Sequence, residues 1–389
     1  MKGQKSALIL STIAMIIGFA AWSVFSPIAL QIREAYNLTA VQGSILVATP
    51  ILLGSVARIP MGILTDRYGG RKVYTLTLFF LVIPLVGAGL ANSFEVLLFW
   101  AFLIGMAGTT FAIGITFVSK WYPPEQQGFA LGVTGMGNLG TAVAGFLIPT
   151  IAVTLGLPWV FWLSAAAVAL MGVVFWLGTQ DAPQPGKAKS LGEALSVLRM
   201  KETWVLSLLY FLTFGSFVSF GVYLPTLLQE LFQLSVVDAG FRAAGFVVLA
   251  TFMRPVGGWL SDRLGAEKIL GVVFIGVVLG ALLMSISTNN LFFFSIGCLG
   301  VAFLVGAGNG AVFKLVPQVA PENTGAVTGV VGAFGGIGGF FPPILLGGIK
   351  DLTGDYWLGF VLLAIVALVC FLVNRQSFGK EKRASHKLA

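Results

Sequence analysis

Apolar stretches of about twenty residues recur along the chain and are separated by short polar segments. A helix needs about twenty consecutive apolar residues to cross the hydrocarbon core of a bilayer. The pattern therefore predicts twelve membrane-spanning helices, at residues 7–31, 43–64, 73–91, 96–119, 129–155, 159–178, 204–228, 239–260, 269–287, 291–317, 325–349 and 356–374. The first run begins after a few basic residues, as a signal peptide does, but it is longer than a signal core and we interpret it as the first span.

Composition indicates the same class of protein. The 389 residues are 57% hydrophobic and only 10% charged, whereas soluble domains carry about 25% charged residues. Two cysteines, Cys298 and Cys370, lie in separate apolar segments, and the single histidine, His386, lies in the polar tail. These residues offer no disulfide framework, metal ligand set or catalytic base. We predict an all-α membrane protein with no cofactor, no metal and no enzymatic activity.

One longer polar stretch, residues 179–203, follows the sixth span and reads as a cytoplasmic linker between two six-helix bundles, 1–178 and 204–389, the second ending in a short cytoplasmic tail. An even number of spans places both termini on one side. Of the 23 lysines and arginines, only Arg33, Arg242 and Lys350 fall on the opposite side. Basic loops favour the cytoplasm, so we expect cytoplasmic termini and a cell membrane location. We attribute the net charge of +8 to this loop bias and expect no nucleic-acid partner.

The second half of the chain repeats the first. Residues 62–72, GILTDRYGGRK, align with residues 258–268, GWLSDRLGAEK, and the same offset aligns Arg58 with Arg254. Arg58 lies about 12 Å along the helix from Asp66 in the loop, which is close to the depth of the bilayer midplane. Charges at that depth are costly and mark functional sites. Two repeated halves are typical of transporters whose site lies near the midplane, where the halves meet.

Twelve spans, a central linker and the loop pattern GxLxDRxGxRK resemble the major facilitator superfamily. The resemblance implies a conformational latch at the loop charges, namely Asp66, Arg67, Arg71 and Lys72, with Asp262 and Arg263 in the second copy. We interpret Lys120 and Lys314 as interfacial residues at helix ends, with a vestibule that attracts anions as the alternative. Three glycine-rich stretches, 128–145, 306–318 and 324–343, are similar to the signature segments of the nitrate/nitrite porters within that superfamily.

By that resemblance, a nitrate pocket falls on nine residues of this sequence. It has two arginines, three aromatic walls, two polar side chains and two backbone positions: Arg58 and Arg254, Phe19, Phe111 and Phe214, Asn138 and Tyr210, and Gly329 and Gly332. The residue chemistry suits a flat monovalent anion, because a planar guanidinium offers two parallel hydrogen bonds and aromatic rings exclude water. Carboxylates and phosphates also suit arginine, so the arginines alone specify an anion.

The fifteen acidic residues all lie in or near predicted loops or termini. Proton-coupled transporters generally carry a titratable relay inside the membrane. The lack of acidic residues deep in the predicted spans favours nitrate/nitrite exchange, with nitrate moving inward and nitrite outward. We expect the transporter to act as a monomer in the lipid bilayer. Proton symport, transport of another small monovalent anion such as formate or chlorate or of an organic acid, and a passive channel or nutrient sensor remain alternatives.

Overall fold

A computed structural model describes residues 2–38, 40–182, 196–234 and 236–378. Most of the predicted linker and the tail after residue 378 lie outside the described residues. The described chain is almost entirely helical. Its α-helices are α1 Lys2–Trp22, α2 Ala29–Ala35, α3 Ala40–Val56, α4 Arg58–Tyr68, α5 Gly70–Gly89, α6 Phe94–Ile104, α7 Thr110–Ser119, α8 Pro124–Gly135, α9 Leu139–Leu155, α10 Leu157–Gly178, α11 Lys201–Phe232, α12 Val236–Leu264, α13 Ala266–Ile286, α14 Leu291–Val319, α15 Thr324–Thr353 and α16 Trp357–Phe378.

Twelve stretches of helix within the described residues are long and apolar enough to cross a membrane. They are Gly3–Ile28, Ile45–Tyr68, Gly70–Gly89, Phe94–Ser119, Pro124–Leu155, Leu157–Gly178, Lys201–Leu224, Asp238–Leu264, Ala266–Ile286, Leu291–Val319, Thr324–Pro342 and Trp357–Phe378. This confirms the predicted all-α, twelve-span fold. The boundaries differ by a few residues from the predicted ones, because polar residues extend several helices beyond their apolar windows.

The sequence repeat has a structural counterpart in its loop. Gly69 and Gly265 end the two DRxG turns with φ of 87° and 91°. Residues other than glycine rarely adopt this backbone conformation. Each glycine separates two spans, α4 from α5 and α12 from α13. The repeated glycine therefore makes the same tight connection in both halves.

The chain forms two compact units. The first comprises Met1–Pro123, Val133–Val197 and Glu322–Ala333, and the second comprises Pro124–Gly132, Leu198–Pro321 and Phe334–Ala389. In the first unit α1 packs against α7, α9 and α10, and α5 packs against α10; in the second, α14 packs against α11, α12 and α13. The predicted division into two bundles at residues 178 and 204 stays a prediction.

Four predicted spans are interrupted: the first contains the 3-10 turn Ser26–Ile28, and the second breaks at Ala57, between α3 and α4. The fourth contains the 3-10 turn Gly105–Thr109, and the fifth contains the 3-10 turn Met136–Asn138. At Gly105 an added Cβ would lie 2.7 Å from the carbonyl oxygen of Pro50, and at Gly140 it would lie 2.1 Å from that of Ile16. The turn in the fourth span and the start of α9, just after the turn in the fifth, therefore lie where neighbouring backbones approach closely. Mid-helix 3-10 turns often mark functional segments.

Candidate functional site

Arg58 begins α4 and is 0% exposed. Its Nε donates to the carbonyl oxygen of Gly108 at 3.0 Å, and its Nη1 donates to that of Gly332 at 2.7 Å. Its guanidinium carbon lies 5.2 Å from the ring centroid of Phe111, which is also fully buried. The two carbonyls and the ring hold the cation in one orientation, although neither carbonyl supplies a negative charge.

Glycines of α15 make room for this arginine. A Cβ added at Gly329 would lie 2.5 Å from the carbonyl oxygen of Arg58, closer than real Cβ atoms come. A Cβ added at Gly332 would lie 3.2 Å from Cδ of Arg58 and 3.4 Å from the Phe111 ring. Gly329 thus sets how near the helix backbones approach, and Gly332 sets the space beside the guanidinium.

Phe19 lies on α1, in the same unit as Arg58. Phe19 packs against Trp22 with ring centroids 5.2 Å apart, and Trp22 donates to the carbonyl oxygen of Pro50 at 3.0 Å. A Cβ added at Gly108 would lie 3.0 Å from Nε1 of Trp22, so this indole connects Phe19 with the segment that binds Arg58. Trp22 was not among the pocket residues predicted from the sequence.

Asn138 is 1% exposed and ends the 3-10 turn that packs against α1. Its Oδ1 accepts no hydrogen bond from any residue that the structure describes. A buried amide oxygen without a donor costs free energy, which makes Asn138 a candidate ligand contact.

The second arginine occupies an aromatic cage. Arg254 is 1% exposed, and its Nη2 donates to the hydroxyl oxygen of Tyr210 at 3.0 Å. Its guanidinium carbon lies 5.7 to 6.0 Å from three ring centroids, those of Tyr210, Phe214 and Phe313. Tyr210 stacks on Phe214 at 4.9 Å with an interplanar angle of 7°, and Phe313 meets Tyr210 edge-on at 4.8 Å. All three rings are 0% exposed.

Phe313 is a component of this cage that sequence reasoning missed. One helical turn earlier on α14 lies Asn309, which is 2% exposed and whose Oδ1 has no hydrogen-bond donor among the described residues. Residues four apart share a helix face. The GAGNGAVFK stretch therefore carried a usable signal, an amide and an aromatic ring four residues apart.

The loop aspartate of the first repeat ties three elements together. Asp66 forms an ion pair with Lys120 at 3.2 Å and accepts hydrogen bonds from the backbone amides of Gly325 at 2.7 Å and Ala326 at 3.2 Å. These amides belong to the first turn of α15, where amides have no partner within the helix and the helix dipole favours a negative charge. Asp66 thus caps α15.

The second repeat builds an equivalent cluster. Asp262 pairs with Lys314 at 2.6 Å and accepts from the amides of Gly128 at 3.1 Å and Phe129 at 2.9 Å on α8. Lys314 also donates to the carbonyl of Pro124. The interfacial interpretation of Lys314 is wrong, since the residue is only 4% exposed and its charge is held by the Asp262 carboxylate.

The other predicted latch residues have separate contacts. Arg71 donates twice to the carbonyl oxygen of Trp176, at 3.0 and 2.6 Å, and its backbone amide donates to Asp181 at 2.9 Å. Arg67 lies over the ring of Tyr68, and Arg263 lies over that of Trp259. Lys72 is exposed at the start of α5. Of the six, Asp66, Asp262 and Arg71 contact residues that are distant in the sequence.

Burial predicts different stabilities for the two ion pairs. The Lys314 and Asp262 side chains are 6% and 7% exposed, against 26% and 20% for Lys120 and Asp66. Removing one partner of a buried pair costs about 3–5 kcal/mol, whereas exposed pairs contribute about 0–1 kcal/mol. We therefore expect Lys314→Gln to lower the thermal unfolding temperature of the detergent-purified protein clearly more than Lys120→Gln does.

The exposed Lys268 provides the control, because Lys268→Gln should leave the unfolding temperature unchanged. Equal losses for the Lys314→Gln and Lys120→Gln variants, or a larger loss for Lys120→Gln, would contradict this ranking.

Comparison with known proteins agrees with this architecture. The model of the Major Facilitator Superfamily matches residues 11–343 and 243–388. The chain is 38% identical over 389 residues to the nitrite extrusion protein of Bacillus subtilis, covering 98% of this chain and 97% of that protein. It is 36% identical to the probable nitrate transporter NarT of Staphylococcus epidermidis, covering 98% of both, and 38% identical to the probable nitrate/nitrite transporter NarK2 of Mycobacterium tuberculosis, covering 95% of both.

Solved structures show the same fold. The human organic anion transporter MFSD10 aligns with a TM-score of 0.81 at 16% identity, covering 96% of this chain and 100% of that one. The proton:xylose symporter XylE aligns with a TM-score of 0.82 at 12% identity, covering 97% and 96%.

Twelve spans in two repeated halves, each with a buried arginine, define a multi-pass membrane transporter. The chain belongs to the Major Facilitator Superfamily and, within it, to the family of nitrate/nitrite porters, as the sequence predicts.

Proposed function

We propose that this protein transports nitrate and nitrite by alternating access, with Arg58 and Arg254 both donating to the anion. The observation that carries the proposal is the pair of arginines, one in each repeat, that are at most 1% exposed and lie against aromatic rings. The names of the relatives supply the substrate. We further propose a cell membrane location with cytoplasmic termini and a monomeric transporter.

The chemistry of the two clusters supports a small, flat anion. Nitrate is trigonal and planar, and a guanidinium can donate two parallel hydrogen bonds to two of its oxygens. Tyr210 and Asn138 carry groups that can donate to the remaining oxygen. Phe111 and Phe214 each place an aromatic ring beside one of the arginines. Phe19, Gly329 and Gly332 complete the proposed pocket.

The positions of the carboxylates favour exchange of nitrate for nitrite. Among the described residues, every aspartate or glutamate within a span lies within three residues of an end of that span. No described carboxylate is therefore placed to relay a proton at mid-depth. An anion that stays bound while the carrier reorients would offset the positive charge of the arginines. We therefore propose that the loaded carrier reorients faster than the empty one.

Reconstituted vesicles test the exchange mechanism. Proteoliposomes preloaded with nitrite should take up labelled nitrate at least tenfold faster than proteoliposomes that contain no transportable anion. A pH gradient imposed on the latter should add little uptake, because the carrier then has no anion for the return step. Protein-free liposomes correct for leakage. Brisk nitrate uptake into the vesicles without internal anion, driven by the pH gradient alone, would contradict exchange and indicate proton symport.

A further inference from the structure

A long apolar groove lies on the second unit, between α11, α15 and α16. Its volume is about 220 Å³, and its walls include Phe220 and Leu227 of α11, Leu345 of α15 and Phe360 of α16. On α11 the lining residues extend from Phe211 to Leu227, about 24 Å along the helix axis. That length exceeds the depth of one leaflet of the hydrocarbon core, about 15 Å.

Charged and hydroxyl side chains close one end of the groove. Glu230 lies three residues after Leu227, and Lys350 lies four residues after Leu346, so each continues the lining face of its helix. The Tyr356 hydroxyl donates to Oε2 of Glu230 at 2.6 Å, and Lys350 forms an ion pair with the same carboxylate. Tyr223, which lines the groove, places its hydroxyl oxygen 3.4 Å from that of Tyr356.

The charged end lies at the depth of lipid headgroups. Helix α11 begins at Lys201, and Glu230 follows 29 residues later, which corresponds to about 43 Å of helix. A bilayer including its headgroups is about 40–45 Å thick. The Glu230 and Lys350 side chains are 37% and 38% exposed, so both are accessible from the membrane surface.

We propose that this groove is a binding site for a zwitterionic phospholipid with a primary ammonium group, of the phosphatidylethanolamine type. One acyl chain lies along α11, the ammonium donates to the Glu230 carboxylate, and the phosphate accepts from Lys350. Half-exposed ion pairs contribute little to stability, so the opposite charges of the headgroup can insert between these two side chains.

The headgroup chemistry distinguishes this lipid from others. Phosphatidylglycerol offers a phosphate to Lys350 but no cation to Glu230. Phosphatidylcholine offers a quaternary ammonium, which has no N–H to donate to the carboxylate. The site should therefore rank phosphatidylethanolamine above phosphatidylcholine and phosphatidylglycerol.

Native mass spectrometry of the delipidated full chain tests this ranking without a transport assay. We expect an equimolar mixture of the dioleoyl forms of the three lipids to leave at least threefold more protein bound to phosphatidylethanolamine than to either of the others. Leu345→Trp fills the groove, and the double variant Glu230→Gln with Lys350→Gln removes its charged end. Each should abolish the excess.

The matched control is Leu279→Trp on α13, which introduces the same bulk at a side chain that is 64% exposed and does not line the groove. It should keep the excess. Equal retention of the three lipids by the unmodified chain, or an excess that survives in either the Leu345 variant or the double variant, would overturn the proposal. Because the readout is bound lipid, either result leaves the proposed anion transport to be judged separately.

Discussion

Arg58→Lys is expected to remove most nitrate uptake even though it keeps the positive charge. The arginine spans two acceptors, the carbonyls of Gly108 and Gly332, and its planar group can also donate to an anion. A lysine ammonium has no rigid fork and cannot reproduce this geometry. Hydrogen bonds to charged groups contribute about 1.5–3 kcal/mol, so we expect uptake in proteoliposomes to fall roughly tenfold to a hundredfold.

Arg254→Lys should have an effect of the same size, because Arg254 is equally buried and donates to Tyr210. Lys268→Arg, at an exposed position, serves as a control and should transport normally. The amount of reconstituted protein is measured in parallel, so that a defect in folding is separated from a defect in transport. Near-normal uptake by either arginine variant would show that the pocket has been misplaced.

Gly62→Leu and Gly258→Leu are expected to prevent assembly of a stable transporter. A Cβ at Gly62 would lie 2.0 Å from the carbonyl oxygen of Gly325, and a Cβ at Gly258 would lie 2.0 Å from that of Gly128. Backbone atoms cannot move aside as a flexible side chain can. Each substitution should therefore lower the free energy of unfolding by more than is typical of overpacking, which is about 1–3 kcal/mol. Size-exclusion chromatography of the detergent extract and nitrate uptake measure the outcome.

Gly300→Leu is the matched control, because outside its own stretch of helix no atom lies within 4 Å of a Cβ added there. It should yield a monodisperse peak and normal uptake. A monodisperse peak with full uptake for Gly62→Leu would mean that α4 and the start of α15 do not need their close approach.

The twelve-span fold could be predicted from hydropathy because a bilayer forces every backbone polar group into helical hydrogen bonds. The interruptions at Gly105–Thr109 and Met136–Asn138 could not. Their glycines look like ordinary small residues for helix packing, and what gives them their role is contact with α3 and α1, which are far away in sequence.

The arginines were predictable for a different reason. A charge in an apolar segment is costly, and the repeat brought Arg58 and Arg254 into register. The aromatic partners were harder to choose, because the chain contains 33 phenylalanines and membrane helices place most of them against lipid or other helices. Resemblance identified Phe111 and Phe214, whereas Phe313 emerged only from its position beside Arg254.

The lysines illustrate a limit of interpreting one helix at a time. Lys120 and Lys314 lie near helix ends, where snorkelling to the interface is common. Their aspartate partners lie on other helices, at Asp66 and Asp262. The repeat contained the relevant signal, since the acid and the base both recur in the second half, although neither residue alone indicates the pairing.

Labelled nitrate uptake into proteoliposomes, measured in competition with unlabelled anions, tests the central proposal most directly. We expect unlabelled nitrate and nitrite to suppress uptake of the label at concentrations where formate, chlorate and small organic acids suppress it at least tenfold less. Suppression by an organic acid or by formate as effective as that by nitrate, or no saturable nitrate uptake at all, would contradict the assignment of nitrate and nitrite as the substrates.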